Sequence, residues 1–374
     1  MKTAIVHDCF VQPNDTERVT EEIYFMVPNT TLFTTLALPG CVPARLEHVG
    51  VRTSWLQRLP YIDRYFELCL LLYPFGLSSL DLSGFDLVIS SSSSYAKGVN
   101  ASPDAVHVCY RHSPMRFPWS GGGESRGKSN VVRDLIKRAA IHGLARWDTA
   151  SSRQPDHFVA NSRVMAERIR RNYGRCAEVI YPPIQTKRFR ASREREDYYL
   201  VVSPLVAQKR IDLAVQACTE MRKKLVVIGS GPDLERLVTM AGPTVTFIEN
   251  AGSELVKHYM SRCRALLLPG DEDFATAPLE AASAGRPAIA YRGGGAAEIV
   301  EENLSGIFFE QQEPEHLKLA IQRFERQEWS PALIRNHSEN FSVEVFQERF
   351  SSFLRRIGAP VAGKTGHGSL AYSA

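Results

Sequence analysis

The sequence predicts an α/β protein of two domains, each a doubly wound, Rossmann-like parallel sheet flanked by helices. Three observations predict it. The chain has 374 residues, more than one hydrophobic core ordinarily serves. Short apolar runs of strand length alternate with segments of helical period along most of it, the pattern of parallel sheets. The alternation breaks between Tyr181 and Asp197, where Pro182-Pro183 leads into a charged run with no apolar period, which is linker composition.

In the first half, strands are predicted near Thr3–His7, Thr31–Thr35, Asp86–Ser90, His107–Tyr110, His157–Ala160 and Glu178–Tyr181. In the second they fall near Tyr198–Ser203, Lys224–Gly229, Thr244–Ile248, Ala265–Pro269, Ala288–Tyr291 and Gly306–Phe309. The domains expected are residues 1–183 and 198–340, joined by a linker over 184–197. Residues 341–357 read as a helix with Val343, Phe346, Phe350 and Phe353 on one face. The Gly/Ser/Ala-rich end, 358–374, is expected to be disordered.

Composition bounds the function. With 44% hydrophobic and 23% charged residues the chain is of the soluble globular class. A net charge of +4 is too small for a polyanion binder, and no nucleic-acid partner is expected. The charge is uneven: residues 131–195 hold 15 Lys/Arg against 6 Asp/Glu. Within them, Val131 to Thr149 reads as a basic amphipathic helix, suited either to packing on its sheet or to an anionic membrane. Seven cysteines, with no C-x-x-C, fit reduced thiols in a cytoplasmic protein. The N-terminus lacks a signal-peptide core, and the most apolar stretch, Leu68 to Leu77, is too short to span a bilayer.

The most informative pair of residues is Glu272 and Glu280. They bracket Gly270-Asp271-Glu272-Asp273-Phe274-Ala275-Thr276-Ala277-Pro278-Leu279-Glu280, between a strand-like run and a helix of small residues. Glu272 then lies on the loop after a strand, and Glu280 in the first helical turn. Such a loop suits a phosphorylated ligand, and two carboxylates accept hydroxyl hydrogen bonds. Spacing alone allows equally two solvated acids beside a helix start. Gly229-Ser230-Gly231-Pro232 follows a strand and opens a helix, fitting either a plain turn or close backbone approach to a ligand. Lys209 precedes another helix. His112 ends an apolar strand, a place where histidine is more often structural than catalytic; His7 and Asp8 end the first strand. Gly293-Gly294-Gly295, followed by Glu298, opens a further helix.

The Glu272–Glu280 segment resembles the E-x7-E signature of the retaining glycosyltransferases of family 4, which have the two-domain GT-B fold. Val51-Arg52-Thr53-Ser54-Trp55, Asp86-Leu87-Val88-Ile89-Ser90-Ser91-Ser92, Ala96-Lys97-Gly98, Cys109-Tyr110-Arg111-His112-Ser113-Pro114-Met115-Arg116, Ala160-Asn161-Ser162 and Ile180-Tyr181-Pro182-Pro183 are similar to the bacterial polysaccharide mannosyltransferase branch. The resemblance runs from about residue 1 to about residue 355. It implies two facing domains with a cleft between them, the first for the acceptor and the second for the nucleotide sugar. The helix at 341–357 would return to the first domain.

The resemblance also implies roles. Lys209 grips the donor diphosphate, Glu272 the sugar hydroxyls and Glu280 the ribose, while His112 faces the donor sugar. Gly229, Gly231, Phe274, Ala275 and Thr276 line the nucleotide side. The implied reaction is metal-independent hexose transfer with retention, without an organic cofactor; Asp271-Glu272-Asp273 only mimics a metal-binding D-x-D. GDP-mannose is the first expectation for the donor, with UDP-sugars open. The acceptor is a glycan or lipid-linked sugar of bacterial surface polysaccharide, such as lipopolysaccharide, met in the cytoplasm at the inner face of the plasma membrane. Pro204 stands where the family has an arginine, Asn14 and Asp15 where it has two glycines, and Ala275 where it has one. Those departures keep a second class open, a degenerate, non-catalytic GT-B-fold protein that serves a complex. A dinucleotide oxidoreductase is disfavoured for want of a full phosphate fingerprint.

Overall fold

A computed structural model of the chain describes residues 1–11, 15–66, 68–113, 142–189, 191–192 and 194–359. Contacts divide the chain into two compact units. The first comprises Met1–Ala160, Met165–Ile180 and the chain from Gln347; the second comprises Asn161–Val164 and Tyr181–Phe346.

The first unit carries seven strands: β1 (Thr3–His7), β2 (Thr30–Thr34), β3 (Arg52–Thr53), β4 (Leu87–Ser92), β5 (Val106–Arg111), β6 (His157–Ala160) and β7 (Ala177–Val179). Their order is β3-β2-β1-β4-β5-β6-β7, and every pairing is parallel. All five residues of β1 and all six of β4 are buried. Covering both faces of a parallel sheet requires that, and it explains Ala4-Ile5-Val6 and Leu87-Val88-Ile89, while Thr3, His7 and Ser90–Ser92 are buried polar residues. The sequence reading missed β3, because two residues carry no period to detect.

The second unit has six strands: β8 (Tyr199–Val202), β9 (Leu225–Ile228), β10 (Val245–Ile248), β11 (Ala265–Leu268), β12 (Ala288–Tyr291) and β13 (Gly306–Phe309). They are ordered β10-β9-β8-β11-β12-β13, all parallel. Side chains alternate between the sheet's two faces as the strand period requires. Leu200, Val226, Leu266, Ala288 and Phe308 enter one buried cluster. Tyr199, Val201, Val227, Leu267, Ile289 and Ile307 enter the other.

The C-terminal helix, Val343–Arg356, buries Phe346, Phe350, Phe353 and Leu354. From Gln347 onward it belongs with the first unit, where Phe350 meets the ring of Tyr110 and Phe353 that of His157. Among the described residues no helix is long and apolar enough to cross a membrane. Of the basic stretch from Val131 to Thr149, residues 131–141 lie outside the described part, and 142–149 are helical. Asn14 and residues 360–374 also lie outside it.

Each sheet reverses its strand order at one point, between β1 and β4 and between β8 and β11. In doubly wound sheets the crevice beyond the carboxyl ends of the strands at that reversal is where ligands bind.

Candidate functional site

In the second unit the loops leaving β8 and β11 carry Lys209 and Glu272. Lys209 ends the short 3-10 helix Ala207–Lys209. Arg210 follows in the left-handed region at φ 49° and starts the helix Ile211–Glu220. Glu272 follows β11 by four residues. The two side chains, 24% and 14% exposed, form an ion pair with Nζ 2.7 Å from Oε2. The structure thus brings together two residues that the sequence places 63 apart, at the reversal point of the sheet.

The loop bearing Glu272 is wedged between its neighbours. A Cβ on Gly270 would sit 3.0 Å from the carbonyl oxygen of Lys209. On the other side Gly295 N–H donates to the carbonyl of Glu272 at 2.6 Å. A Cβ on Gly294, whose φ is +51°, would stand 2.1 Å from that carbonyl oxygen and 2.3 Å from Oδ1 of Asp271. Only glycine fits there. Gly293-Gly294-Gly295 therefore shapes the glutamate loop. Glu298 beyond it accepts the amides of Arg163 and Val164 at 2.7 and 2.9 Å and the Tyr181 hydroxyl at 3.1 Å.

Gly229 and Gly231 also have a structural cause. A Cβ on Gly229 would lie 1.9 Å from the carbonyl oxygen of Ser203, and one on Gly231 2.3 Å from that of Leu205. Leu205 N–H donates to Ser230 at 2.9 Å, and Asp233 N–H to Leu205 at 3.0 Å. The loops after β8 and β9 run backbone against backbone, and the glycines permit it. Pro204 is exposed on the first of these loops.

The remaining predicted residues follow Glu272 in sequence. Phe274 stacks on Tyr181, with ring centroids 6.1 Å apart. Ala275 is 2% exposed and its methyl packs in the core, so a ligand could meet only its backbone. Thr276 offers its carbonyl to the amides of Leu279 and Glu280. Glu280 lies in the first turn of the helix Ala277–Ser283. Buried Ala281, Ala282 and Ser283 let that helix lie close to the sheet. Gly285, at φ 72°, closes it as a left-handed cap. The acids flanking Glu272 differ: Asp271 is exposed and Asp273 buried.

His112 lies in the first unit, past the end of β5, and is 5% exposed. Its Nε2 is 2.8 Å from the Ser91 hydroxyl. Ser91 on β4 pairs in register with His7 on β1, so these residues flank the reversal point of the first sheet. Thr20 joins them, its hydroxyl 2.8 Å from that of Ser91 and 3.0 Å from Nδ1 of His7. Burial drives His7 down to about 4. Burial, then His7 and Arg111, hold His112 well below its ordinary value. Both rings are neutral at pH 7. Sequence reasoning missed Ser91 and Thr20; the serine run 90–92 interrupting a buried strand was the available signal.

Asp8 is spent on structure. Its two carboxylate oxygens accept the amides of Ser93, Ser94, Tyr95 and Ala96 at 2.5–2.9 Å. Lys97 is fully buried, with Nζ 2.6 Å from Asp148 and 2.9 Å from the Ser151 hydroxyl, and Arg111 buried nearby. Asp15 opens the helix Asp15–Met26. Among the described residues no group of three or more His, Cys, Asp or Glu side chains is arranged to hold a metal ion.

Comparison with known proteins places these features. Residues 184–342, which include Lys209, Glu272 and Glu280, match the family described as glycosyl transferases group 1. Residues 35–188, which include Ser91 and His112, match glycosyltransferase family 4. The chain is glycosyltransferase family 4-like. The uncharacterized glycosyltransferase MJ1178 of Methanocaldococcus jannaschii is 24% identical over 228 residues, 60% of this chain and 64% of that protein. The match thus spans just under two thirds of that relative's length. Among solved structures, sucrose-phosphate synthase from Thermosynechococcus elongatus superposes with a TM-score of 0.69 at 16% identity, over 96% of this chain and 99% of that one. HepE of Anabaena in complex with UDP gives 0.68 at 15%, over 95% and 100%. The lipopolysaccharide outer core galactosyltransferase WaaB gives 0.65 at 16%, over 96% and 100%. At these identities the family 4-like chain shares their fold, two Rossmann-like α/β domains of the GT-B class.

Proposed function

We propose that this family 4-like chain transfers a hexose from a nucleotide-sugar donor to a glycan or lipid-linked acceptor, with retention of configuration and without a bound metal. The observation that carries the proposal is the Lys209–Glu272 pair at the reversal point of the second sheet. A diphosphate reaching that point would meet a lysine already held in place. Glu272 would turn its carboxylate to the sugar hydroxyls as Lys209 takes the phosphate charge, and Glu280 would accept from the ribose. The sugar–phosphate bond breaks through an oxocarbenium-like state. The acceptor oxygen bonds the anomeric carbon on the face the diphosphate leaves, and its proton passes to the departing phosphate. Charge grows on the diphosphate as this happens, and Lys209 offsets it without help from a metal. His112, neutral and buried at its outset, would orient the sugar.

GDP-mannose is the first donor to test, on the strength of the sequence branch. UDP-glucose and UDP-galactose follow, because HepE is known with UDP-glucose and WaaB is a galactosyltransferase. The acceptor belongs to bacterial surface polysaccharide synthesis in this reading, met at the inner face of the plasma membrane. Incubation with each donor in EDTA, followed by NMR of the product's anomeric proton, tests it. Turnover with the donor's configuration kept is expected. Turnover that vanishes with EDTA and returns with Mg²⁺, or an inverted product, would contradict it. Absence of binding to every nucleotide sugar would favour the non-catalytic alternative.

A further inference from the structure

The second unit holds a cavity of about 530 Å³ lined by three arginines, Arg195, Arg264 and Arg286, together with Gly285, Pro287 and Trp329. Among its described lining residues there is no aspartate or glutamate. Arg264 directly precedes β11 and Pro287 directly precedes β12, so the cavity lies at the amino ends of those strands. Lys209 and Glu272 lie beyond the carboxyl ends of β8 and β11. About 13 Å of strand separates the two edges of the sheet, and the cavity is no part of the proposed donor site.

The charges around it do not balance. Arg264 pairs with Asp197 at 2.8 Å and reaches Glu325 at 3.2 Å. Glu325 is shared, with Lys223 2.7 Å away and the Tyr199 hydroxyl donating to it at 2.9 Å. Glu194 and Glu196 pair with Arg262. Arg286 is 6% exposed and meets only carbonyls: Nε donates to Ser261 at 2.8 Å, and Nη2 to Ser192 and Glu194 at 3.0 Å each. Among the described residues its Nη1 has no hydrogen-bond partner, and the exposed side chain of Arg195 has neither a hydrogen bond nor an ion pair. Burial lowers the basicity of Arg286, and the like charge of Arg195 lowers it further. A guanidinium stays charged all the same. Two positive charges at this cavity are therefore without a carboxylate.

We infer that this cavity binds a phosphate monoester of a small organic molecule. Two guanidinium groups without a carboxylate match the charge of such an ester, about −1.5 to −2 at pH 7. Their planar N–H forks make paired, charge-assisted hydrogen bonds to phosphate oxygens. Arg286 is already fixed by three carbonyls, so its remaining donor is held ready. The volume is that of a small-molecule pocket rather than of a single-ion site. Trp329 supplies apolar surface for the organic body. Its ring stacks on Phe324 with centroids 5.2 Å apart, and its Nε1 donates to the Phe324 carbonyl at 3.3 Å, so it too is fixed without a ligand. The inference goes beyond the transferase reading and does not depend on it.

Phenyl phosphate is the probe, titrated calorimetrically near pH 7.5 into the full chain carrying Lys209→Ala, which removes the phosphate-binding lysine of the proposed donor site. One saturable site is expected. Adding Arg195→Ala, a change at an exposed position that leaves the chain folded, should weaken it about tenfold or more. Inorganic phosphate should bind the same site more weakly, since it leaves Trp329 uncovered. Trp329→Phe should remove most of the tryptophan fluorescence change that phenyl phosphate causes. No saturable binding, or equal affinity with and without Arg195→Ala, would overturn the site. Equal affinity for phenyl phosphate and inorganic phosphate, with the fluorescence response unchanged in Trp329→Phe, would overturn the organic ester as its ligand.

Discussion

Lys209 and Glu272 neutralise each other across adjacent strands: Nζ stands 2.7 Å from Oε2, one residue following β8 and the other following β11. The pair is partly exposed, so it contributes at most about 1 kcal/mol to folding. Its value is placement. A lysine held by a carboxylate at the mouth of the sheet needs only to exchange one anion for another when a diphosphate arrives.

Lys209→Ala is therefore expected to separate function from stability. Turnover should fall by about 2–4 kcal/mol of barrier, the loss seen when a charge stabiliser leaves a closed site. The melting temperature should move by only a few degrees, in keeping with ~1 kcal/mol. Steady-state kinetics beside a thermal melt checks both. Unchanged turnover in the folded variant would remove Lys209 from the mechanism.

Gly294→Ala should behave in the opposite way. The new methyl meets the Glu272 carbonyl at 2.1 Å in a backbone region that disfavours side chains. The variant should lose about 1–3 kcal/mol and weaken donor binding through displacement of Glu272, although Gly294 touches no donor in this account. Urea unfolding together with donor titration measures the two losses. A stable variant with full affinity would show that the glycine loop does not hold the glutamate loop.

The sheets, their strands and the Lys209, Glu272 and Glu280 loops were legible because apolar runs of four to six residues repeat with polar loops between them. Charge pairing was not legible: nothing local says that Lys209 closes on Glu272 and Asp8 on the 93–96 amides. The cause of the glycines was hidden as well. Gly229 and Gly231 fit either a plain turn or close approach to a ligand, and only the structure shows that both stand against the backbone at 203–205. Ala275 reads only as a residue standing where the family has glycine, and the structure places its methyl in the core. Such facts depend on which loops become neighbours, and strand order decides that.

Buried histidines give a pH dependence of known sign. Burial lowers His7 and His107 to about 4, and His112 is lowered too. Folded values thus lie below the unfolded value of about 6.5, so below pH 6.5 the unfolded chain binds more protons. The stability these rings contribute is whole above pH 6.5 and is lost as pH falls toward 4. For His7 and His107 the loss should be roughly 2 kcal/mol each at pH 5. Urea unfolding at pH 7.5 and 5 measures it, and His107→Leu should remove its share of the slope.

Lys97 should matter to folding rather than to the reaction. Burial and Arg111 push its ammonium down to about 8, against the pull of Asp148. Lys97→Ala should cost about 3–5 kcal/mol, because it opens a cavity and breaks a buried ion pair. Lys97→Met should cost less, since it keeps the volume and leaves Arg111, 3.7 Å from Asp148, to hold the carboxylate. Equal losses from the two variants would count against the cavity contribution and leave the broken ion pair as the whole cost.

Calorimetric titration of GDP-mannose, UDP-glucose and UDP-galactose into the wild type, Lys209→Ala and Glu272→Gln tests the central claim most directly. At least one donor is expected to bind the wild type, with affinity falling about tenfold or more in each variant while both remain folded. A donor that binds all three proteins equally would contradict the placement of the donor at the Lys209–Glu272 pair.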